Sequence, residues 1–159
     1  MLIETTSQTI QRDLRLGSLD EVLEEVIKLE KADTILVSND SWDIPHDFDH
    51  CSRSILYMIQ GFPELKSPLF RSLIGKTAFH IFDLMGRLSH DRLEEIPGSN
   101  YEQELTVEDS IIKLRTTIET FKAFDKILEP HFAYGRLSKE KADRANAMHI
   151  AHHLCLIDY

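Results

Sequence analysis

The sequence predicts an all-α protein: a four-helix bundle with one inserted helix between the second and third bundle helices. Three observations predict it. Apolar residues recur at three- and four-residue intervals along most of the chain. Gly and Pro punctuate those stretches. No run of alternating apolar and polar residues is long enough to read as a strand. The 159 residues suffice for one hydrophobic core, so residues 1–159 are expected to form a single domain, with 1–17 partly irregular.

The first helix is signposted by Ser18 and Glu21, a capping-box pair, after the break at Gly17. Leu19, Val22, Val26 and Leu29 then share one face, and the carboxylates of this helix make a solvated face. The second helix begins between Asp43 and His46, with Pro45 tolerated in its first turn. Phe48, Cys51, Ile55 and Met58 form its buried stripe, and Gly61 and Pro63 stop it. A third stretch follows Ser67 and carries a broad apolar face from Leu69 to Met85. Gly75 is placed to bend it and Gly86 to end it. Residues 89–105 read as a loop around a Pro97–Gly98 turn, and loops of this length are often functional. The next helix starts after Thr106, is lined by Ile111, Leu114, Ile118, Phe121 and Leu128, and is expected to end at Pro130. A short connection over His131–Leu137 leads to Ser138, which caps a last helix expected to reach about Ile157.

The formal net charge of −9 disfavours a phosphate backbone, so nucleic acid is not an expected partner. Residues Met1 to Arg15 lack the apolar core of a secretion signal. Arg71, Lys76, His80 and Asp83 interrupt the longest apolar stretch, so no membrane span is expected. Cys51 and Cys155 fall in apolar helical patterns and read as small buried thiols of a cytoplasmic protein.

The last helix departs from the pattern. Its seam positions are Ala142, Ala145, His149, His152 and Leu156, with histidine where the other helices place aliphatic or aromatic residues. His153 lies four residues after His149, so their Cβ atoms are ~5–6 Å apart. Two such imidazoles can reach one divalent ion at ~2.0–2.1 Å. Burying them without partners is costly, and a metal removes that cost by taking the nitrogen lone pairs. Spacing alone leaves open which of the three bind. Further ligands could come from His46, His50, His80, His90 or His131, of which His90 and His131 read as exposed polar residues. A zinc-protease motif is excluded because Ile150 follows His149. A di-iron bundle needs Glu-x-x-His on two helices, and only Asp43-x-x-His46 and Asp47-x-x-His50 occur, both on the second helix. There is no Gly-rich phosphate loop, GxSxG or EF-hand loop.

Several motifs, in order, resemble the DinB-like superfamily of metal-binding four-helix bundles, in an uncharacterised bacterial branch. They are His50-Cys51, Gly61-Phe62-Pro63, Ile96-Pro97-Gly98, the run from His131 to Ser138, and His149-Ile150-Ala151-His152-His153-Leu154. The resemblance spans roughly Gln11 to Ile157. It implies a site made of His50, His149 and His153, with open positions for water or substrate. It makes His152 and His46 supporting neighbours or substitute ligands. Asn146 stands where that branch often has a further histidine, three residues before His149.

The cofactor this implies is a divalent metal, zinc or nickel first, with a low-molecular-weight thiol as a further candidate. The implied activity is a metal-dependent transferase or hydrolase acting on a small molecule or thiol, with the 89–105 loop shaping the pocket. The alternatives are a non-catalytic metal- or ligand-binding bundle, and a structural dimer with a vestigial site. The apolar Leu69–Met85 face could feed a homodimer interface.

Overall fold

The computed structural model describes residues 2–6, 9–38, 41–101 and 104–159. The expectations that 1–17 and 89–105 are irregular extend to residues 1, 7, 8, 102 and 103, which lie outside the described residues. The elements run β1 (Leu2–Thr6), α1 (Leu19–Glu30), β2 (Thr34–Ser38), α2 (Ile44–Gln60), α3, α4 (Val107–Ala123), α5 (Lys139–Leu154) and β3 (Ile157–Asp158). Here α3 is one rod made of Pro68–Phe70, a π-helical turn Arg71–Gly75, and Lys76–Met85.

The all-α expectation is corrected. Among the described residues, five helices are joined by a three-stranded mixed sheet of order β1-β2-β3. β1 runs parallel to β2, with α1 supplying the crossover that parallel strands need. β3 runs antiparallel to β2, pairing Ile157 with Val37. The central strand is the short β-rich run Thr34-Ile35-Leu36-Val37, which turns Ile35 and Val37 into the core. Consequently residues 2–6 are not irregular, and the last helix stops at Leu154, where the chain turns into β3.

The helix starts follow local chemistry. The hydroxyl of Ser18 accepts from the Glu21 amide, and the Glu21 carboxylate reaches back to the Gly17 amide at 2.6 Å. This pins α1 so that Leu19, Val22, Val26 and Leu29 are fully buried. Asp43, Thr106 and Ser138 cap α2, α4 and α5 in the same way. The core fills the space between α1, α2, α4 and α5, with Phe48, Ile55, Ile118 and Phe121 fully enclosed. The longest helix–helix contact is α2 against α4.

α4 ends earlier than expected, at Ala123. The ammonium of Lys139, at the start of α5, takes the carbonyls of Phe121 and Phe124, the latter at 2.6 Å, and lies over the Phe121 ring. That cap comes from a distant residue, so the chain leaves the helix well before Pro130.

α3 is not a core helix. Leu69, Leu73, Ile74 and Leu84 are each more than half exposed, and Phe79 is its one buried large side chain among the described residues. The bend at Gly75 is the π-helical turn. At this point the rod lies directly on the backbone of Ala133. Among the described residues no helix is long and apolar enough to cross a membrane.

Candidate metal centre

α2 and α5 lie side by side, and their histidines meet between them. His50 sits two turns into α2, and His149 and His153 occupy successive turns of α5. The ring centroids form a near-equilateral triangle: 5.1 Å from His50 to each of the other two, and 5.0 Å from His149 to His153. One ligand nitrogen from each lies within 4.8 Å of the others. The Nε2 atoms of His50 and His149 are 3.2 Å apart. Two ligands of a tetrahedral ion bound at 2.0–2.1 Å would stand roughly 3.3 Å apart, so this edge is already at coordination spacing.

The rings are aimed by carboxylates. Asp47, one turn before His50, accepts from His153 Nδ1 at 2.9 Å, and its other oxygen accepts from the Ser41 hydroxyl at 2.8 Å. With Nδ1 engaged, His153 presents Nε2 to the cluster, and this buried nitrogen has no hydrogen-bond partner among the described residues. Glu95, from the long loop, lies 3.5 Å from His50 Nδ1 and 2.6 Å from His46 Nε2. Arg53 supports Glu95 at 3.3 Å and also holds buried Asp49 and Ser99. Imidazoles braced through one nitrogen by a carboxylate, with the other free, are the usual arrangement of metal-binding histidines.

The electrostatics agree. Burial, reinforced by the neighbouring His153, pushes His50 down to about 3. Burial and the adjacent His153 and His50 hold His149 well below the ordinary imidazole range. Both rings are therefore neutral near pH 7, with lone pairs available. Burial opposes ionisation of Glu95, but the hydrogen bond from His46 and the charge of Arg53 outweigh it, and its carboxyl is held below the usual range.

His131, which the sequence suggested was exposed, is buried. Gly135, at φ 75°, lets the chain close a tight His131–Gly135 bridge, and the ring stacks on Tyr134 at 4.3 Å. Its Nδ1 accepts from the amides of Ala133 and Tyr134, at 3.1 and 3.2 Å, which leaves Nε2–H as the ring's donor. Burial pushes this imidazole to about 3 as well.

These depressed values make the metal-free protein sensitive to acid. Unfolded imidazoles protonate near pH 6.5, whereas folded His50 and His131 do so near 3, so between these limits the unfolded state binds more protons. Stability is expected to be complete above about pH 6.5. Below that it should fall by up to about 1.4 kcal/mol per pH unit for each of the two groups. Urea midpoints of metal-free protein near neutral pH and near pH 5 check this; equal midpoints would contradict it.

The other expected neighbours separate. His152 turns away from the cluster and bonds the His90 carbonyl at 3.1 Å. His46 is stacked between Trp42 and Tyr101, at 4.0 and 4.3 Å, and reaches Glu95 instead of the cluster. Asn146 is buried, but its amide points to the Met58 sulfur at 3.4 Å. His80 is exposed on α3.

Sequence reasoning missed Trp42, Asp47 and Glu95. Asp47 had a usable signal, since it stands three residues before His50 on one helix face. Trp42 packs within 5.1 Å of the His50 ring and 6.1 Å of the His153 ring. Together with the core beneath, it shields the cluster on that side.

On the other side, His50 and His149 border a cavity of about 280 Å³. Its walls include Met58, Phe70, Leu88, Ile96 and Phe132, and its polar groups include His131 and Asn146. Pockets that bind small molecules have this composition: apolar walls and a few convergent polar groups.

Asp47→Asn keeps the shape but removes the charge that orients His153. Metal affinity is expected to fall about 10–100-fold, measured by chelator competition. A change within twofold would show that this contact does not support the site.

The three imidazoles, one of them with an unpartnered buried nitrogen, can hold a metal ion. Comparison with known proteins adds the family but no activity. No curated protein and no solved structure matches the chain. Residues 8–158 match the family DUF1569, described as "Protein of unknown function (DUF1569)". The match takes in nearly the whole chain and all three histidines, so the chain belongs to the DUF1569 family.

Proposed function

We propose that this protein binds one divalent metal ion through His50, His149 and His153 and uses it as a metal-dependent transferase or hydrolase on a small molecule. The observation that carries the metal reading is His153 Nε2: buried, unpartnered among the described residues, and set beside the neutral imidazoles of His50 and His149. Leaving such a group unsatisfied costs about 1–3 kcal/mol, which a bound ion would reverse. Three imidazoles suit zinc or nickel.

The adjoining cavity supports the enzymatic reading. A metal held by three protein ligands keeps a position open, and here the cavity borders two of those ligands. The ion would polarise an oxygen or sulfur donor of the bound molecule and lower its pKa. The chain's own groups would do the rest. The apolar walls take the carbon skeleton and exclude water. His131, locked with its proton on Nε2, donates to an acceptor oxygen. A low-molecular-weight thiol is one candidate reactant, a suggestion that rests on the DinB-like motifs.

Protein purified without a nickel column is expected to carry about one equivalent of divalent metal, measured by elemental analysis. It should also consume thiol with some member of an electrophile panel only when metal is present. Metal-free protein whose thermal midpoint does not respond to added zinc or nickel would overturn the metal reading. Full metal occupancy without turnover would overturn the enzymatic one.

A further inference from the structure

A second cavity of about 520 Å³ lies on the far side of the Leu88–His90 wall, between residues 11–14, the segment after α3, and the end of α5. Leu88 and His90 border both cavities, so the two adjoin, and His50, His149 and His131 border only the first. This cleft differs in character from the metal cavity. Three arginines, Arg12, Arg87 and Arg92, border it in a chain whose net charge is −9.

The charges in the cleft do not cancel internally. Arg12 is neutralised by Glu25 at 2.9 Å and lies over the Tyr159 ring. Asp13, the cleft's one carboxylate among the described residues, is taken by Arg15 at 3.2 Å. Arg87 and Arg92 make no ion pair among the described residues. Arg92 is held in place all the same: its Nε donates to the His152 carbonyl at 2.8 Å, and one Nη lies 3.5 Å from the Cys155 sulfur. Those contacts cap the end of α5 with one edge of the guanidinium. The remaining N–H groups have no protein acceptor among the described residues.

A fixed guanidinium and an unpaired one bordering the same concave site form an arrangement that can recognise planar or tetrahedral oxyanions. We propose that this cleft is a binding site for a small anionic molecule, its carboxylate or phosphate group held between Arg87 and Arg92. The site does not depend on the metal, since it shares no ligand with the three-histidine cluster.

The test titrates the full-length, metal-free protein at low salt with inorganic pyrophosphate and, separately, with citrate, followed by calorimetry. Saturable binding of at least one probe is expected, and the tighter of the two tells phosphate from carboxylate recognition. Arg87→Gln should weaken it about tenfold, the loss of one charge-assisted contact. The Arg87→Gln/Arg92→Gln double variant should abolish it. Arg87 is exposed, so its variant tests the site with little effect on the fold. His149→Ala should leave binding unchanged, which separates this site from the metal reading. Absence of saturation with both probes, or wild-type affinity in Arg87→Gln, would overturn the proposal.

Discussion

His149→Ala is expected to abolish metal binding while leaving the fold intact. His149 is the shared corner of the cluster, 3.2 Å from His50 Nε2 and one turn from His153. Its removal leaves two imidazoles on different helices, and the His90 ring, 5.9 Å from that of His149, lies outside the three-histidine group. His152 is committed to the His90 carbonyl, and Asn146 to Met58. The loss in affinity should exceed the 10–100-fold that follows from removing a supporting carboxylate.

The readout is stability as well as stoichiometry. A ligand present at about 1,000 times its Kd stabilises the native state by about 4 kcal/mol. For a chain of this size that is a rise of roughly 8–16 °C in thermal midpoint. The wild-type protein should show that rise with zinc or nickel, and His149→Ala should not. The metal-free variant should melt close to metal-free wild type, because the ring borders the cavity instead of filling the core. An equal metal-induced rise in both proteins would remove His149 from the site.

Gly75→Ala is expected to destabilise the protein by about 3 kcal/mol, the upper range for overpacking. On helix propensity alone this substitution would stabilise by about 1 kcal/mol. Packing reverses the sign. A Cβ at this position would stand well inside van der Waals contact with the Ala133 carbonyl oxygen and 2.8 Å from its carbonyl carbon. Both are backbone atoms, so no rotamer change relieves the overlap. Either α3 lifts or the His131–Gly135 turn shifts. Because that turn carries His131 and Phe132 into the metal cavity, ligand affinity there should fall as well. Gly86→Ala is the control. Nothing lies within 4 Å of a Cβ there, and only the left-handed φ of 65° opposes it, at about 1–2 kcal/mol. Urea titrations should rank the two variants in that order. A Gly75→Ala protein as stable as wild type would show that the approach of Ala133 is not tight.

What could be read in advance was what local chemistry decides. Ser18, Asp43, Thr106 and Ser138 each accept from an amide three residues on, so four helix starts are written in adjacent residues. Likewise, the spacing of His149 and His153 places both on one face of α5. Features decided by distant partners were hidden. The sheet joins segments from opposite ends of the described chain, and its central strand is too short to show a period. The end of α4 is set by Lys139, from another helix. His50 entered as a ligand through the DinB-like motifs, because its position at the flank of a buried stripe did not decide the matter. Glu95 acts across the fold, as does Trp42 where it reaches His153, and nothing beside them in sequence says so.

The mixed sheet has one further consequence, for how molecules of this protein meet each other. Among the described residues β1 pairs with a strand on one side only, β2, and its Leu2 and Ile3 are exposed. Such an edge is a template for strand addition, and Glu4 is the one charge along β1 that opposes it. Opening of the sheet should start at β1, whose amides should exchange with solvent well before those of β2. At high concentration, self-association should begin there, and a Lys in place of Ile3 should suppress it.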